Sequence, residues 1–119
     1  MRDPIRDKDR LKHILKGEET IENFLQGVSE EEFYDNPILY HAIVNNLSII
    51  GEASYKLTKE FTNDHPKTPW KQIINMRYFL IHGYYQVSKK IVWDTVCNDL
   101  KPLKSQIKSY LEEIEKSNI

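Results

Sequence analysis

The sequence predicts an all-α fold, an antiparallel bundle of four main helices plus one short helix. Apolar residues recur at intervals of three and four along almost the whole chain. No stretch alternates apolar and polar residues as a half-buried strand would. Helix-start signals, "SEEEF", "DNPIL" and "TPW", cut the chain into segments of helical length. A chain of 119 residues closes one moderate core, so the reading is a single domain over residues 1–119.

The first helix follows from a stripe of Leu11, Ile14, Leu15, Ile21, Phe24, Leu25 and Val28, with Lys12, Lys16, Glu18, Glu19 and Glu22 off the stripe. Gly17 interrupts it at a cost of roughly 1 kcal/mol in helix propensity. Ser29 with Glu32 three positions on forms the capping-box pattern and starts the short helix. Asn36 and Pro37 then read as N-cap and first turn of a long helix over residues 37–62, with Leu39, Ile43, Leu47, Ile50, Ser54, Leu57 and Phe61 in register. Thr68 and Pro69 repeat that signal for the fourth helix, whose apolar positions are Ile73, Ile74, Phe79, Leu80 and Ile81, and Gly83 is its expected end. Ser88 caps the last helix, which carries Ile91, Val92, Val96, Leu100, Leu103, Ile107, Leu111 and Ile114. Pro102 should kink it, because the ring removes a donor and crowds the preceding turn.

Charge and composition narrow the function classes. Lys plus Arg number 17 and Asp plus Glu 18, a formal net charge of -1, so any RNA contact has to come from local charge rather than bulk attraction. The single cysteine, Cys97, excludes an intrachain disulfide and reads as a small buried hydrophobe. There is no leader-like segment and no apolar run long enough to span a bilayer, so the expected setting is the reducing cytoplasm, without membrane or DNA partners. His13, His41 and His65 read as surface or helix-end residues. No Cys/His/Asp cluster has metal-ligand spacing, so neither a metal nor a cofactor is expected. Trp70 and Trp93 read as core or interface anchors ahead of RNA-stacking platforms.

The stretch "NMRYFLIHGYYQ", residues 75–86, carries the distinctive chemistry. Arg77 offers a planar, permanently charged fork that matches a phosphate, and His82 can take or give a proton near neutral pH. Together they supply the minimum for cleaving RNA without a metal: a proton-transfer group at the 2′-hydroxyl or the leaving oxygen, and a cation for the developing phosphoryl charge. Five residues at roughly 100° each separate the two positions by about 140° on an ideal helix, so they share no face unless the helix ends or a twin copy faces them. The excess of apolar and aromatic residues on this helix favours the twin copy, a homodimer with two arginines and two histidines around one cleft. A structural arginine paired with Glu52, plus a histidine at a helix end, satisfies the same spacing, and spacing alone does not separate the two readings.

"RYFLIHGY" has the form RxxxxHxY and resembles the signature of the HEPN ribonucleases, specifically the HepT-like toxins found beside minimal nucleotidyltransferase antitoxins. The resemblance runs collinearly through "LSIIGEASYKL", "HPKTPWKQIINMR" and "VWDTVCNDLKPLKSQI", and more loosely through "RLKHILKGEETIENFL". It implies a HEPN-like dimer that acts as a metal-independent endoribonuclease in a type VII-like toxin–antitoxin system, with Arg77 and His82 as the catalytic pair. By the same carry-over, Glu52 supports Arg77 and Tyr84 is the tyrosine that a nucleotidyltransferase antitoxin would silence by AMP transfer. Tyr78 stands where many family members have a small polar residue, and its ring is suited to stacking on a base. Lys71, Tyr85, Lys89 and Lys90 flank the motif as candidate RNA contacts. The alternatives are a non-catalytic helical adaptor that binds a nucleotide or the nucleotidyltransferase through the same cleft, and a purely structural dimer.

Overall fold

The computed structural model describes residues 4–82 and 88–117, with side chains described from Arg6 to Ile81 and from Ser88 to Ser117. Six helices follow in order: α1 Pro4–Phe24, α2 Glu30–Asp35, α3 Pro37–Tyr55, α4 Lys59–Asp64, α5 Trp70–His82 and α6 Lys89–Ser117. No strand occurs among the described residues. Four long helices make the expected all-α bundle, with α1 and α5 packed on α3 and α6 packed on α1. Asp7 of α1 meets Thr58 just beyond α3 while Gly17 meets Asn46 and Ile50, so α1 and α3 run antiparallel.

The capping chemistry accounts for most of the boundaries. Ser29 accepts from the Glu32 N–H at 3.1 Å and the Glu32 carboxylate accepts from the Ser29 N–H at 3.4 Å, completing the capping box. Asn36 Oδ1 accepts from the Leu39 N–H at 3.1 Å, with Pro37 opening α3. Ser88 Oγ accepts from the Ile91 N–H at 3.1 Å at the start of α6. α1 runs unbroken through Gly17, where a Cβ would come within 3.0 Å of Ile50 Cγ1. Gly17, a poor helix former in the interior of α1, therefore stands where α1 lies close against α3.

Three local expectations are corrected. The helix expected over residues 37–62 is two helices, α3 and α4, because Thr58 leaves the helical ladder. Its N–H donates to Asp7 Oδ1 at 2.9 Å and its hydroxyl to Asp7 Oδ2 at 2.6 Å, while the same hydroxyl oxygen accepts from the Phe61 N–H and caps α4. A buried carboxylate 51 residues upstream supplies this break. Thr68 does not cap α5; its buried hydroxyl donates to Gln106 Oε1 and accepts from the Tyr110 hydroxyl, both at 2.6 Å, tying the α5 entry to α6. Cys97 is exposed, because the core stripe of α6 runs through Val92, Leu100, Leu103, Ile107 and Tyr110 and leaves position 97 outside it. α6 itself continues through Pro102 to Ser117.

The core is one cluster built from all six helices, from Leu11 and Ile14 to Ile107 and Tyr110. Trp70 lies inside it and donates its indole N–H to the His65 carbonyl at 3.0 Å, while half-buried Trp93 packs tilted against Phe33 with centroids 5.3 Å apart. Both tryptophans are therefore packing residues. His65 closes α4 as its C-cap, stacks on Phe61 at 4.1 Å and meets Glu113 at 3.1 Å.

An unusual carboxylate lies at the α1–α6 seam. Glu18 is 3% exposed and faces Glu22 and Lys104, whose Nζ is 3.0 Å from Glu22 and 4.0 Å from Glu18. Burial, with the hydrogen bond and charge of Glu22, raises the Glu18 carboxyl from 4.5 to about 7. The folded chain holds that proton after the unfolded chain has released it, so this group lowers stability as pH rises from about 4.5 to about 7. Glu22 is held low by the Lys104 hydrogen bond and acts in the opposite sense, contributing stability that is lost as pH falls. Urea unfolding of wild type and Glu18→Gln at pH 5 and pH 8 reads the first effect: the variant gains stability relative to wild type at the higher pH. Equal differences at both pH values would contradict it.

Candidate functional site

α5 approaches α3 at Gly51. A Cβ on Gly51 would run into the Arg77 Cβ and would lie 3.2 Å from the Ile73 carbonyl oxygen, so the two backbones meet only because this side chain is missing. Tyr55 lies near Ile74 and Asn75, and Ile49 near Ile81, which makes the pair antiparallel. The residue after Gly51 is Glu52, and its Oε2 lies 2.5 Å from Arg77 Nε. This N–H points off the hydrogen-bond line, so the contact is an ion pair held by charge and proximity. The other Glu52 oxygen lies 3.3 Å from Lys56 Nζ one turn on, so one carboxylate serves two cations. The Arg77 guanidinium carbon also stands 5.8 Å from the Tyr55 ring centroid, within cation–π range.

Glu52, Lys56 and Arg77 form one wall of an open groove of about 280 Å³. Its lining comes from three helices: Arg10 and His13 of α1, Ser48, Ile49, Glu52, Ala53 and Lys56 of α3, and Arg77 and Ile81 of α5. Arg10 and His13 are three apart, Arg77 and Ile81 four apart, and the α3 residues recur at i+3 and i+4 (Ile49, Glu52, Lys56 and Ile49, Ala53, Lys56), as one face requires. Among the described lining residues Glu52 is the only acid, so they are net positive in a chain whose net charge is -1.

α5 is helical through His82, so position 82 remains about 140° around the axis from Arg77. In projection position 82 falls between Tyr78 and Phe79, on the face turned away from α3. That face is apolar and exposed: Tyr78 is 63% accessible, Phe79 45%, and Ile81 at its edge 44%. Ile49 and Tyr55 of α3 are also exposed. Adjacent large apolar side chains left in solvent on one helix are a feature of interaction surfaces.

The other sequence candidates divide. Lys71 is exposed and lines a second depression with Tyr55, Lys59, Asn63 and Asn75. Lys89 instead donates to the Tyr34 carbonyl at 2.8 Å and stands 5.7 Å from the Tyr40 ring, and Lys90 pairs with Asp94 at 3.5 Å. Tyr84, Tyr85 and the expected helix end at Gly83 lie outside the described residues. The Cys97 thiol is pushed up by partial burial and by Asp94 and Glu30, which makes it a poor nucleophile. Among the described residues no group of three or more His, Cys, Asp or Glu could hold a metal ion. No described helix is long and apolar enough to cross a membrane.

Sequence reasoning did not single out Gly51 or the α1 wall of the groove. A glycine inside an otherwise apolar helix, directly before a carboxylate, is the available signal for the first. Only packing reveals the second.

A family model described as "Ribonuclease HepT-like" matches residues 14–110. The chain is 42% identical over 103 residues to a provisionally named RNase of Caldanaerobacter subterraneus subsp. tengcongensis, covering 87% of this chain and 92% of the relative. It is 36% identical over 99 residues to a Thermococcus cleftensis protein named probable ribonuclease HepT, covering 83% and 90%. A provisionally named RNase of Methanocaldococcus jannaschii is 34% identical over 113 residues, covering 94% and 93%. No solved structure gives a significant match.

Gly51→Ala tests the geometry at the groove. The added methyl forces α5 outward and costs about 1–3 kcal/mol as overpacking, outweighing the roughly 1 kcal/mol that alanine gains in an open helix. Chemical denaturation measures the loss; a variant as stable as wild type would show that the helices separate without strain.

Proposed function

This chain belongs to the HepT-like ribonuclease family, and from that premise we propose that it is a metal-independent endoribonuclease, the toxin of a toxin–antitoxin pair. The observation that carries the reading is the pairing of Arg77 with Glu52 in a net-positive groove, beside an exposed apolar face that includes position 82. A second copy docked on that face by a two-fold axis brings two Arg77 and two His82 positions around one cleft. Neither copy alone can do this, because one continuous helix keeps the two positions about 140° apart.

In the cleft, one histidine takes the proton from a ribose 2′-hydroxyl as the oxygen attacks phosphorus. The same histidine then gives that proton to the departing 5′-oxygen, so one P–O bond forms and one breaks with no net change in protons. Arg77 swings or slides from Glu52 onto the phosphoryl oxygens and stabilises the charge that builds there. Glu52 limits the arginine's rotamers, and Tyr78, exposed beside the cleft, offers a ring for base stacking. Lys71 is accessible for backbone contacts and Tyr85 is assigned the same role from its proximity to the motif in sequence, whereas Lys89 and Lys90, held by the Tyr34 carbonyl and Asp94, are given no such role.

Silencing follows the family resemblance of Tyr84. A nucleotidyltransferase antitoxin transfers AMP from ATP to the tyrosine oxygen, forming a phosphodiester and releasing pyrophosphate. The added negative charge and bulk, two residues after His82 in sequence, repel RNA.

Arg77→Ala and His82→Ala should each slow cleavage of an RNA substrate by about 100-fold or more while leaving the thermal melt close to wild type. Co-refolding the two inactive variants as a mixture restores part of the activity, because a mixed dimer keeps one arginine and one histidine. A mixture as inactive as its parts would sink the shared cleft, and full activity in either single variant would sink the catalytic assignment. For the switch, intact-mass analysis after co-expression with the nucleotidyltransferase shows adenylyl mass on wild type and none on Tyr84→Phe. Equal labelling of both would move the modification to another residue.

A further inference from the structure

The groove beside Arg77 has a second wall that the proposed reaction leaves unused. Arg10 and His13 are three residues apart on α1 and therefore project to one side of that helix, into the same groove as Arg77 and Lys56. Glu52 already serves Arg77 and Lys56. Among the described residues no carboxylate pairs with Arg10 or His13, and the buried Arg10 Nε has no hydrogen-bond partner. Arg10 is half-buried, so its stem is held by packing and its fork is presented with little rotamer freedom left to lose. Two groups able to donate hydrogen bonds to an anion thus stand unclaimed on the wall facing Arg77.

We propose that Arg10 and His13 form a phosphate-binding subsite that holds the RNA backbone at a nucleotide next to the one being cleaved. This rests on the ribonuclease reading above. A phosphodiester chain suits the groove better than a single anion, because it can bridge the α1 wall and Arg77 at once while its sugars lie against exposed Ile49 and Ile81. The subsite fixes the strand and leaves the proton transfers to others, so it acts on affinity and not on the chemical step.

The test uses the full chain and a 2′-O-methyl oligoribonucleotide, which binds but lacks the attacking hydroxyl. Fluorescence anisotropy across a salt series gives affinity and its salt slope for wild type, Arg10→Gln, the Arg10→Gln/His13→Gln double variant, and Lys116→Gln at the far end of α6 as control. Arg10→Gln should weaken binding several-fold and reduce the slope of log affinity against log salt by about 1. The double variant weakens it further, and Lys116→Gln matches wild type. With cleavable RNA, KM rises while kcat holds. Groove variants with wild-type affinity and slope overturn the subsite and leave the ribonuclease reading standing, as does a loss confined to nucleotidyltransferase binding. A wild-type chain that binds no RNA overturns the ribonuclease reading itself, and the subsite with it.

Discussion

The contact between α3 and α5 at Gly51 is the constraint on which the rest of the site depends. α5 packs chiefly on α3 and has little direct hold on α6, where a cleft of about 300 Å³ separates them. The bare backbone at Gly51 lets α5 settle far enough for Arg77 to reach Glu52, the next residue on the same helix. Steric and electrostatic contacts are thus set by two adjacent positions, one that removes bulk and one that supplies charge. Because α5 is buried on one side only, its opposite side keeps Tyr78 and Phe79 in solvent. The arrangement that fixes the arginine also leaves the apolar surface uncovered.

The features legible in the sequence are those written within one helical turn or one periodic stripe. The capping box at Ser29, the Asn36–Pro37 start and the Ser88 cap depend on atoms three residues apart, and each forms as its local chemistry dictates. The apolar stripes give the four long helices and the core for the same reason. The break at Thr58 escaped because Asp7, which takes both Thr58 donors, lies on another helix. Thr68 looked like a cap in isolation, yet Gln106 and Tyr110 claim its hydroxyl across the bundle. Cys97 falls one step off a stripe whose phase is settled by the neighbours of α6. At the site, the link of Arg77 to Glu52 was readable from residue type, whereas the Arg10 and His13 wall exists only once α1 lies against α3.

Charge is distributed in a way that the net value of -1 conceals. Lysines near the motif in sequence are largely engaged elsewhere: Lys89 holds the end of α2 through the Tyr34 carbonyl, and Lys90 faces Asp94 on its own helix. The cations that converge on one groove come from three separate helices, and two of them, Lys56 and Arg77, share Glu52. Sequence proximity to a motif is therefore a poor guide to which basic residues share its electrostatic environment, and helix packing a better one.

Glu52, shared between Lys56 and Arg77, sets a threshold for occupancy. A lone phosphate or small nucleotide arriving at the arginine has to displace an anion already in place, so exchange returns little net free energy. A polymer that presents several phosphates along the groove adds further contacts for the same displacement, and its effective concentration at each successive contact is high. For the proposed RNA-binding groove this makes the carboxylate a filter on ligand length, which favours a strand over monomeric anions.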